Sequence, residues 1–449
     1  MVESKKSFFF IIFFLLNFFF TNGILEIPLK PIRVKGVPKF PNITKMVSGN
    51  RIIVNNSAIF MEEGNSIINN DLIFLANVKI GSDSQNFNLL LDTGSDLFWV
   101  AGKDCLGDNI IKRYFIPESS STCGPKGDYF SIGYGSGKCI GYYYEDNVQY
   151  LSNKKFKLKF GVASLADFRV TNGDGIIGLA KSYNNKEYSF IHMLKESGNT
   201  DSLAFSIKFE NNDYFRSGIK GTMYIGEHND FSKSETVSCP FLLTTYNAFW
   251  ACELSSFGLK GSHHSTESSY KTGIIFDTGT NMILLPMKYL DDIKDDLSDF
   301  GCYTIKDNKY YMLACSDGGD YPDLRFKFNG NTLIIPKHYA FYYPGTTKYV
   351  YSSLYFQDSR EVPIMGSIFF FLFHTLFYEE KKELKFYPLY DGLIEKGGLS
   401  GIVIAIIVIV SILTVAMIAY IIYYCIKKRK NNMVQDYINQ DTYRGLFPS

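Results

Sequence analysis

The sequence predicts a mainly β protein with two similar lobes, a cleft between them and one transmembrane helix near the C-terminus. The first indication is a series of short apolar or alternating runs, rich in Ile, Phe and Tyr and interrupted by Gly, Asn, Asp and Ser, which is typical of strands and turns. The second is an Asp-Thr-Gly sequence that occurs twice, each time followed at a similar distance by two apolar residues and a glycine. The third is one long apolar segment.

Length and charge narrow the possible functions. The chain has 449 residues, enough for two or three domains, and 46% of them are hydrophobic. Its formal net charge is only +1, whereas nucleic-acid binding normally requires a basic surface. We therefore expect no nucleic-acid partner.

Residues 1–23 have the features of a secretory signal peptide. Lys5 and Lys6 precede an apolar stretch over residues 8–20, and small residues follow it. An uncleaved signal anchor is the alternative, but the apolar run is shorter than the ~20 residues that a spanning helix needs.

Residues 24–70 differ in composition from the segments around them. They contain four prolines, and six basic residues fall between Lys30 and Arg51, whereas few acidic residues precede Glu62. Asn42 and Asn55 begin Asn-x-Ser/Thr sequons and are candidate glycosylation sites. We therefore treat residues 24–70 as a separate lead segment.

From residue 71 onward the chain alternates between strand-like runs and turns. Strands are predicted at residues 74–80, 87–91, 97–101 and 155–162, and helices at residues 187–197 and 288–299. The internal repeat divides this region into an N-terminal lobe at 71–245 and a C-terminal lobe at 246–392.

Residues 399–426 predict one transmembrane helix. The segment is apolar apart from small polar residues and a few Tyr, and at ~1.5 Å per residue it can cross a hydrocarbon core of ~30 Å. A buried core helix is the alternative, but it would seldom be so uniformly apolar or be followed by four basic residues at 427–430. Because positive charge stays on the cytoplasmic side, we expect a single-pass type I protein with a linker at 393–398 and a cytoplasmic tail at 427–449.

The repeated motif carries the candidate chemistry. Its two copies are Leu91-Asp92-Thr93-Gly94-Ser95 and Phe276-Asp277-Thr278-Gly279-Thr280, and the later parts of the repeat are Ile176-Ile177-Gly178 and Ile364-Met365-Gly366. A single Asp-Thr-Gly is a common turn, but two copies with matching flanks predict that the lobes bring two aspartates together. The glycines permit tight turns, and the threonine hydroxyls can tie the two loops to each other.

Two carboxylates placed ~3 Å apart cannot both ionise, so the pair keeps one proton near its working pH. The ionised carboxylate can then take a proton from a water molecule while the protonated one donates to a substrate carbonyl. Asp92 and Asp277 are therefore candidates for amide hydrolysis without a covalent intermediate.

These motifs resemble those of the pepsin-family aspartic proteases over nearly all of residues 71–390. Residues 92–99 are similar to the family's first catalytic loop, residues 174–180 to a later segment, and residues 134–137 to the tip of the flap, a hairpin that closes over substrate. Phe249 and Trp250 resemble an aromatic pair in the second lobe. The resemblance implies the bilobal pepsin-like fold, and the richness in Phe, Tyr, Ile, Asn and Lys makes the plasmepsin-like members a natural comparison.

The resemblance also implies roles for individual residues. Asp92 and Asp277 would be the catalytic pair, with support from Thr93, Gly94, Ser95, Thr278, Gly279 and Thr280. Substrate would bind as an extended protein or peptide beneath the flap, against Tyr134, Gly135, Ser136 and Trp99. No cofactor and no metal is expected, the protein would be monomeric, and residues 24–70 would be a propeptide whose basic side chains pair with the ionised aspartates.

The sequence departs from the family pattern at three places. Ser84 and its neighbours replace the usual Thr-Pro-Pro, Ser367 stands where the family usually has Asp, and Lys138-Cys139 follows the flap tip. None of these positions belongs to the predicted aspartate pair. They leave the pH optimum and the subsite preference open.

Seven of the eight cysteines precede the predicted span, and Cys425 lies at its cytoplasmic edge. In an oxidising compartment disulfides are the default. Cys302 and Cys315 flank a predicted hairpin and match a disulfide of the family, and Cys239 and Cys252 flank a second pair of apolar runs. Of the remaining three, we favour a Cys105–Cys123 bond, which leaves Cys139 as a free thiol.

Together these features predict a membrane-anchored aspartic endopeptidase of the secretory or endocytic pathway or the cell surface, with a lumenal or extracellular catalytic domain. Restricted processing of secretory or membrane proteins is favoured over bulk digestion. The competing hypothesis is a catalytically silent binding or inhibitor protein on the same fold, although such a protein would have no need to keep Asp92, Asp277 and Tyr134.

Overall fold

Strands dominate the chain, as the alternating apolar runs predict. The structure is a computed structural model that describes residues 25–33, 51–52, 72–107, 113–135, 137–150, 154–168, 173–181, 186–209, 221–242, 248–260, 272–307, 310–316, 319–342, 349–358, 362–397 and 401–444. The predicted signal peptide, the sequons at Asn42 and Asn55, and Ser136 of the predicted flap lie outside these residues.

The first half of the chain forms twelve strands within the described residues. They are β1 (Leu25–Arg33), β2 (Arg51–Ile52), β3 (Leu72–Ile80), β4 (Gln85–Asp92), β5 (Trp99–Gly107), β6 (Tyr129–Gly133), β7 (Gly137–Tyr150), β8 (Lys154–Phe168), β9 (Gly175–Gly178), β10 (Ala204–Phe209), β11 (Gly221–Ile225) and β12 (Val237–Pro240).

The second half contributes fourteen more described strands, which are generally shorter. They are β13 (Ala251–Leu254), β14 (Ser256–Leu259), β15 (Thr272–Phe276), β16 (Ile283–Pro286), β17 (Tyr303–Asp307), β18 (Tyr310–Ser316), β19 (Leu324–Phe328), β20 (Asn331–Ile335), β21 (Phe341–Tyr342), β22 (Tyr349–Gln357), β23 (Ile364–Met365), β24 (Phe373–Tyr378), β25 (Glu383–Pro388) and β26 (Ile394–Glu395).

Within the described residues, the helices are short except for the last. They are α1 (Phe190–Glu196), α2 (Leu290–Asp296), α3 (Lys337–Ala340), α4 (Ser367–Phe370) and α5 (Gly401–Arg444). The predicted helix at 187–197 is a single 3-10 turn followed by α1, which begins where the Ser189 side chain accepts a hydrogen bond from the His192 N–H. The predicted helix at 288–299 is likewise α2 between two 3-10 turns.

The largest sheet contains thirteen described strands in the order β12-β25-β24-β10-β11-β1-β3-β4-β9-β5-β8-β7-β6. The lead segment supplies a central strand, because β1 pairs antiparallel with β11 from Leu25 to Leu29 and with β3 from Leu29 to Arg33. Strands β24 and β25 come from the end of the predicted C-terminal lobe. The sheet therefore crosses the predicted lobe boundary, and part of the lead segment is built into it.

The two remaining sheets of the described residues are built mainly from the second half of the chain. One has the order β13-β15-β23-β16-β22-β18-β17-β2, with β21 also paired to β22, and the other has the order β14-β19-β20-β26. Strand β2 of the lead segment pairs parallel with β17 at the edge of the first. The lead segment thus contributes backbone to both large sheets.

The sequence repeat corresponds to one structural unit that occurs twice. In the first copy, β4 pairs parallel with β9, so that Asp92 lies opposite Gly178. In the second copy, β15 pairs parallel with β23, so that Phe276 lies opposite Met365. The apolar-apolar-glycine segments are thus the partner strands of the Asp-Thr-Gly strands. Each half holds its aspartate at the end of a buried parallel pair.

Alternation along these strands separates two apolar layers. Leu91 belongs to the main core, whereas its neighbour Leu90 belongs to a smaller cluster with Trp99 and Ile176. We call this the flap-side cluster because Tyr134 packs against it; its buried members are Leu75, Leu90, Leu97, Trp99, Ala101, Phe130, Cys139, Ala163, Ala166 and Ile176. Successive residues of a strand face opposite sides, so the two layers lie on opposite faces of the sheet.

Two of the three predicted disulfides are present. Cys302–Cys315 and Cys239–Cys252 are bonded, but the predicted Cys105–Cys123 bond is wrong, because the structure leaves both thiols free. Cys105 packs against the flap-side cluster, whereas Cys123 packs against the main core on the other face of the sheet. Spacing in the sequence could not reveal that difference of face. Cys139 is also free, and it is buried.

The C-terminal unit, residues 396–449, is a single long helix in its described part. Within α5, Val408–Val434 contains an 18-residue stretch with a mean hydropathy of 2.3, which is long and apolar enough to cross a membrane and is fully exposed. This segment overlaps the predicted span at 399–426. The helix continues through the basic residues that follow.

Candidate active site

Asp92 and Asp277 lie side by side, although 184 other residues separate them in the chain. Asp92 is the last residue of β4, and Asp277 follows β15 directly. The backbone of each is held by its repeat partner: the Leu179 N–H donates to Asp92 O at 2.8 Å, and the Asp277 N–H donates to Met365 O at 2.9 Å. Only 5% of Asp92 and 9% of Asp277 is exposed. The predicted meeting of the two carboxylates is therefore present.

The threonines of the two motifs bind each loop to the other. The Thr93 N–H donates to Thr278 Oγ1, and the Thr278 N–H donates to Thr93 Oγ1, both at 3.0 Å. Each hydroxyl then donates across to a carbonyl of the opposite strand, Thr93 to Phe276 at 2.9 Å and Thr278 to Leu91 at 2.8 Å. These four buried bonds are related by approximate two-fold symmetry. They fix the relative position of the loops that carry the carboxylates.

The glycines of the motifs leave room for the carboxylate of the opposite loop. A Cβ atom on Gly94 would lie 2.6 Å from Asp277 Oδ1, and one on Gly279 would lie 2.5 Å from Asp92 Oδ1. Carbon and oxygen atoms that are not bonded to each other do not approach this closely. Glycine is therefore required at both positions by the close approach of the carboxylates as well as by the turn.

Each carboxylate accepts an equivalent pair of hydrogen bonds from its own loop. Asp92 accepts the Gly94 N–H at 2.9 Å and the Ser95 hydroxyl at 2.5 Å. Asp277 accepts the Gly279 N–H at 2.8 Å and the Thr280 hydroxyl at 2.6 Å. In both loops the hydroxyl binds Oδ2 and the N–H binds Oδ1. The Oδ1 atoms are the ones closest to the glycine of the opposite loop.

The environment of the pair favours retention of a proton. Burial, followed by the charge of Asp277, raises the pKa of Asp92 from 3.8 to about 8, against the opposing effect of its hydrogen bonds from Ser95 and Gly94. Asp92 can therefore keep its proton in the acidic range. Such a pair can act as a general acid and a general base on the same substrate.

A hairpin of β6 and β7 carries Tyr134 next to this pair. The Trp99 Nε1–H donates to the Tyr134 hydroxyl at 3.0 Å. Burial, and then the charge of Asp92, raises the pKa of Tyr134, so its hydroxyl stays neutral. Tyr134 and Gly137 close the turn through backbone hydrogen bonds, and among the described residues no atom beyond Gly135 and its chain neighbours lies within 4 Å of where a Gly135 Cβ would be. The predicted flap residues Tyr134 and Gly135 thus occupy the hairpin turn.

Two supporting residues lie in segments that match the family pattern but have no role assigned from the sequence. Asp174 is buried and accepts the Asn88 N–H at 2.8 Å and both the backbone and the guanidinium of Arg113. It thereby anchors the start of β9. The Trp250 Nε1–H donates to Leu179 O at 2.7 Å and so connects the second half of the chain to the segment after β9. An acidic residue just before a buried strand was the available signal for Asp174.

Ser367, a departure from the family pattern, lies beside the second loop. Its N–H donates to Thr280 O at 2.6 Å, and its hydroxyl donates to Asn281 O at 3.4 Å. The side chain is completely buried. Ser367 therefore supports the backbone of the Asp277 loop without adding a charge near the carboxylates.

A second polar cluster lies in the large sheet, away from the two motifs. His374 contacts Asp230 Oδ2 through Nδ1 at 3.1 Å and the Ser206 hydroxyl through Nε2 at 2.9 Å, and His228 Nδ1 is 3.4 Å from Asp230 Oδ2. The spacing resembles a metal site, but Lys208 and Lys233 each contact an Asp230 oxygen at 2.7 Å. Two ammonium groups already neutralise the carboxylate. This cluster is consistent with a structural ion-pair network rather than a metal centre.

The paired carboxylates, the hydroxyl donors and the covering hairpin define an aspartic endopeptidase. The sequence comparisons agree, because the model of the eukaryotic aspartyl protease family matches residues 73–389. The chain belongs to this family, the pepsin family. It is accordingly an aspartic endopeptidase with the pepsin-like fold.

Similar proteins come from several sources. Vacuolar protease A of Arthroderma otae is 29% identical over 298 residues, which cover 64% of this chain and 71% of that protein. Gastricsin of Callithrix jacchus is 25% identical over 319 residues, which cover 68% of this chain and 79% of that protein. The crystal structure of an aspartic proteinase from Irpex lacteus shares the fold, with a TM-score of 0.57 and 22% identity over 72% of this chain and 95% of that one.

Proposed function

We propose that Asp92 and Asp277 hydrolyse peptide bonds by activating one water molecule between them. The ionised carboxylate accepts a proton from the water, whose oxygen attacks the peptide carbonyl, while the protonated carboxyl donates to the carbonyl oxygen. Collapse of the resulting diol transfers a proton to the leaving nitrogen and breaks the C–N bond. The observation that carries this proposal is the pair of buried, hydrogen-bonded carboxylates held in contact by the two loops.

The neighbouring residues would act by positioning this pair and the substrate. Ser95 and Thr280 would hold the outer carboxylate oxygens, and Thr93 and Thr278 would keep the loops in register. Tyr134, supported by Trp99, would cover an extended peptide whose backbone pairs with the flap. Gly135 and Ser136 would donate to that backbone. No cofactor takes part in this scheme.

Substitution of one aspartate tests the proposal. Asp277→Asn keeps the shape of the side chain but removes its ability to ionise, so we expect kcat for a peptide substrate to fall by roughly 10²–10⁴-fold. The full chain, after removal of any propeptide, would be assayed from pH 4 to 7 with and without pepstatin. Asp291→Asn, an exposed residue of α2, is the matched control. Equal activity in wild type and Asp277→Asn would refute the assignment.

We also propose that α5 anchors the enzyme in a membrane as a type I protein. The support is the apolar stretch of α5 that ends at Ile426 and the basic residues at 427–430 that follow it, which favour a cytoplasmic C-terminus. The catalytic lobes would then face the lumen or the outside. In sealed microsomes, alkaline carbonate should leave the chain in the pellet, and external protease should remove only the tail. Release by carbonate would refute the anchor.

Such an anchor limits the substrates that the enzyme can reach. A tethered cleft meets other membrane-bound or secreted proteins in the same compartment at high local concentration. We therefore propose restricted processing of secretory or membrane proteins in the secretory or endocytic pathway or at the cell surface. N-terminal labelling of membrane fractions from cells with active and Asp277→Asn enzyme should reveal a few new termini. A broad spread of cleavage sites would instead indicate bulk digestion.

The lead segment is proposed to be a propeptide that blocks the cleft until it is cut near residues 65–72. It supplies β1 to the large sheet and β2 to the edge of another, so its backbone reaches both halves of the enzyme. Its basic residues could pair with the ionised aspartates at neutral pH and be released as acid protonates their partners. Peptide sequencing should find a mature N-terminus in this region. Active chains that begin only near residue 24 would contradict the proposal.

A further inference from the structure

Helix α5 carries a compact group of positive charge where its apolar part ends. Lys427, Lys428, Arg429 and Lys430 follow one another without interruption. Successive residues of an α-helix are rotated by about 100° and rise by about 1.5 Å. The four side chains therefore leave the axis in four directions within about 4.5 Å of its length. We call these four residues the basic ring.

The basic ring has no acidic residue near it along the helix. The last one before it is Glu395, which precedes α5, and the first one after it is Asp436. Asp436 lies six residues beyond Lys430, or about 9 Å along the axis. Each side chain of the ring is exposed. The helix therefore presents four uncompensated positive charges around its whole circumference.

Three tyrosines place the ring at a particular depth in a membrane. Tyr420, Tyr423 and Tyr424 are 67%, 61% and 56% exposed, and they occupy one face of the last apolar turns before the ring. Tyrosine rings concentrate at the boundary between hydrocarbon and headgroups. The ring begins three to seven residues further on, roughly 4.5 to 10 Å along the axis. That distance corresponds to the layer of lipid phosphates.

We propose that the basic ring is a binding site for anionic phospholipid headgroups of the cytoplasmic leaflet. This inference rests on the proposed membrane anchor. A protein groove would contact one face of a helix, whereas lipids surround a membrane helix on every side, as these charges do. The flexible stems of lysine and arginine can reach outward to phosphates while their methylene groups stay against acyl chains. Each basic residue near an anionic surface strengthens association by about fivefold.

Spin-labelled lipids provide a direct test. The full-length chain would be reconstituted in phosphatidylcholine vesicles, with trace spin-labelled phosphatidylserine or phosphatidylcholine, and the motionally restricted fraction of each measured by electron paramagnetic resonance. We expect the protein to prefer phosphatidylserine by about threefold to tenfold at 50 mM salt. The preference should fall towards one at 500 mM, because salt screens surface charge.

Two variants separate charge in the ring from charge elsewhere. In the first, Lys427→Gln, Lys428→Gln, Arg429→Gln and Lys430→Gln are combined, and the preference should be lost. In the second, the same charge is removed from β8 by combining Lys154→Gln, Lys155→Gln, Lys157→Gln and Lys159→Gln, and the preference should remain. An exchange that keeps charge, with Lys427→Arg, Lys428→Arg, Arg429→Lys and Lys430→Arg combined, should behave as wild type.

The outcomes distinguish this inference from the proposed anchor. If the wild-type chain fails to float with vesicles in a density gradient, the anchor and the lipid site are both refuted. If it floats but shows no preference for phosphatidylserine, or if the glutamine variant of the ring keeps the preference, only the lipid site is refuted. If the glutamine variant does not insert, the salt dependence of the wild type decides, and a salt-independent preference counts against the site.

Discussion

Replacing Gly94 by alanine would test whether peptide hydrolysis depends on contact between the two loops. The new Cβ would lie 2.6 Å from Asp277 Oδ1, 2.7 Å from Cγ and 2.8 Å from Oδ2. Ordinary Cβ contacts begin near 3.4 Å, so the Asp277 carboxylate must move by about 0.8 Å relative to Asp92. A displacement near 1 Å in a catalytic group can cost about 10²-fold in rate. We expect kcat to fall by roughly that factor.

The change should act on turnover rather than on binding. The substrate cleft away from the carboxylates keeps its shape, so KM should stay within about threefold of wild type. Separation of the carboxylates would also weaken the effect of the Asp277 charge, which helps to raise the pKa of Asp92. The alkaline limb of the kcat profile should therefore move to lower pH. Steady-state hydrolysis of a peptide from pH 4 to 8 would measure both effects.

Gly124→Ala is the matched control. A Cβ there would meet its nearest neighbour, Glu145 O, at 3.4 Å, which is an ordinary contact. Both variants should unfold cooperatively, and the control should keep wild-type kcat. Gly279→Ala should behave like Gly94→Ala, because its Cβ would lie 2.5 Å from Asp92 Oδ1. A folded Gly94→Ala enzyme with kcat within threefold of wild type would refute the reasoning.

Three further predictions concern pH and stability. Ser95→Ala removes a hydrogen bond that lowers the pKa of Asp92, so the alkaline limb of the pH profile of kcat should move to higher pH by up to about one unit. A profile with an unchanged alkaline limb would contradict this. Burial lowers the pKa of His374 from 6.5 to about 4. As the pH falls from 6.5 to about 4, this histidine is therefore protonated in the unfolded chain but not in the native protein, and the free energy of unfolding decreases by about 3 kcal/mol. In urea unfolding, the loss of stability between pH 7 and pH 4 should be smaller in His374→Gln than in wild type by about that amount. An equal loss in the two proteins would argue against this explanation. Replacing Cys302 and Cys315 together by serine opens a loop with a sequence separation of 13 and should lower the free energy of unfolding by about 3 kcal/mol in the same measurement. A serine variant as stable as the oxidised wild type would refute this prediction.

Much of the candidate site was accessible from the sequence because its signals are local and repeated. The two Asp-Thr-Gly motifs and their apolar-apolar-glycine partners became two parallel strand pairs, β4 with β9 and β15 with β23. Buried parallel strands are short apolar runs, which are visible without knowledge of their partners. The meeting of Asp92 and Asp277 then followed from the duplication.

Features that depend on distant pairing could not be predicted. Pro28 and Pro31 argue locally against a central strand, yet β1 lies between β11 and β3. Asp230 and His374 are 144 positions apart in the sequence and belong to no recognisable motif, yet their side chains are in contact. Cys105 and Cys123 are close in sequence but pack on opposite faces of one sheet. In each case the contact depends on which strands pair with each other in the sheet, and local sequence patterns do not indicate that pairing.

The central place of β1 has a practical consequence for making the enzyme. A recombinant chain that starts at Leu72 would lack β1, so that β11 and β3 would each lose the strand that lies between them and keep a partner on one side only. Exposed strand edges of this kind recruit other chains and promote aggregation. Expression from the beginning of the lead segment, with any trimming done on the folded product, should therefore give soluble enzyme where a shorter version gives inclusion bodies.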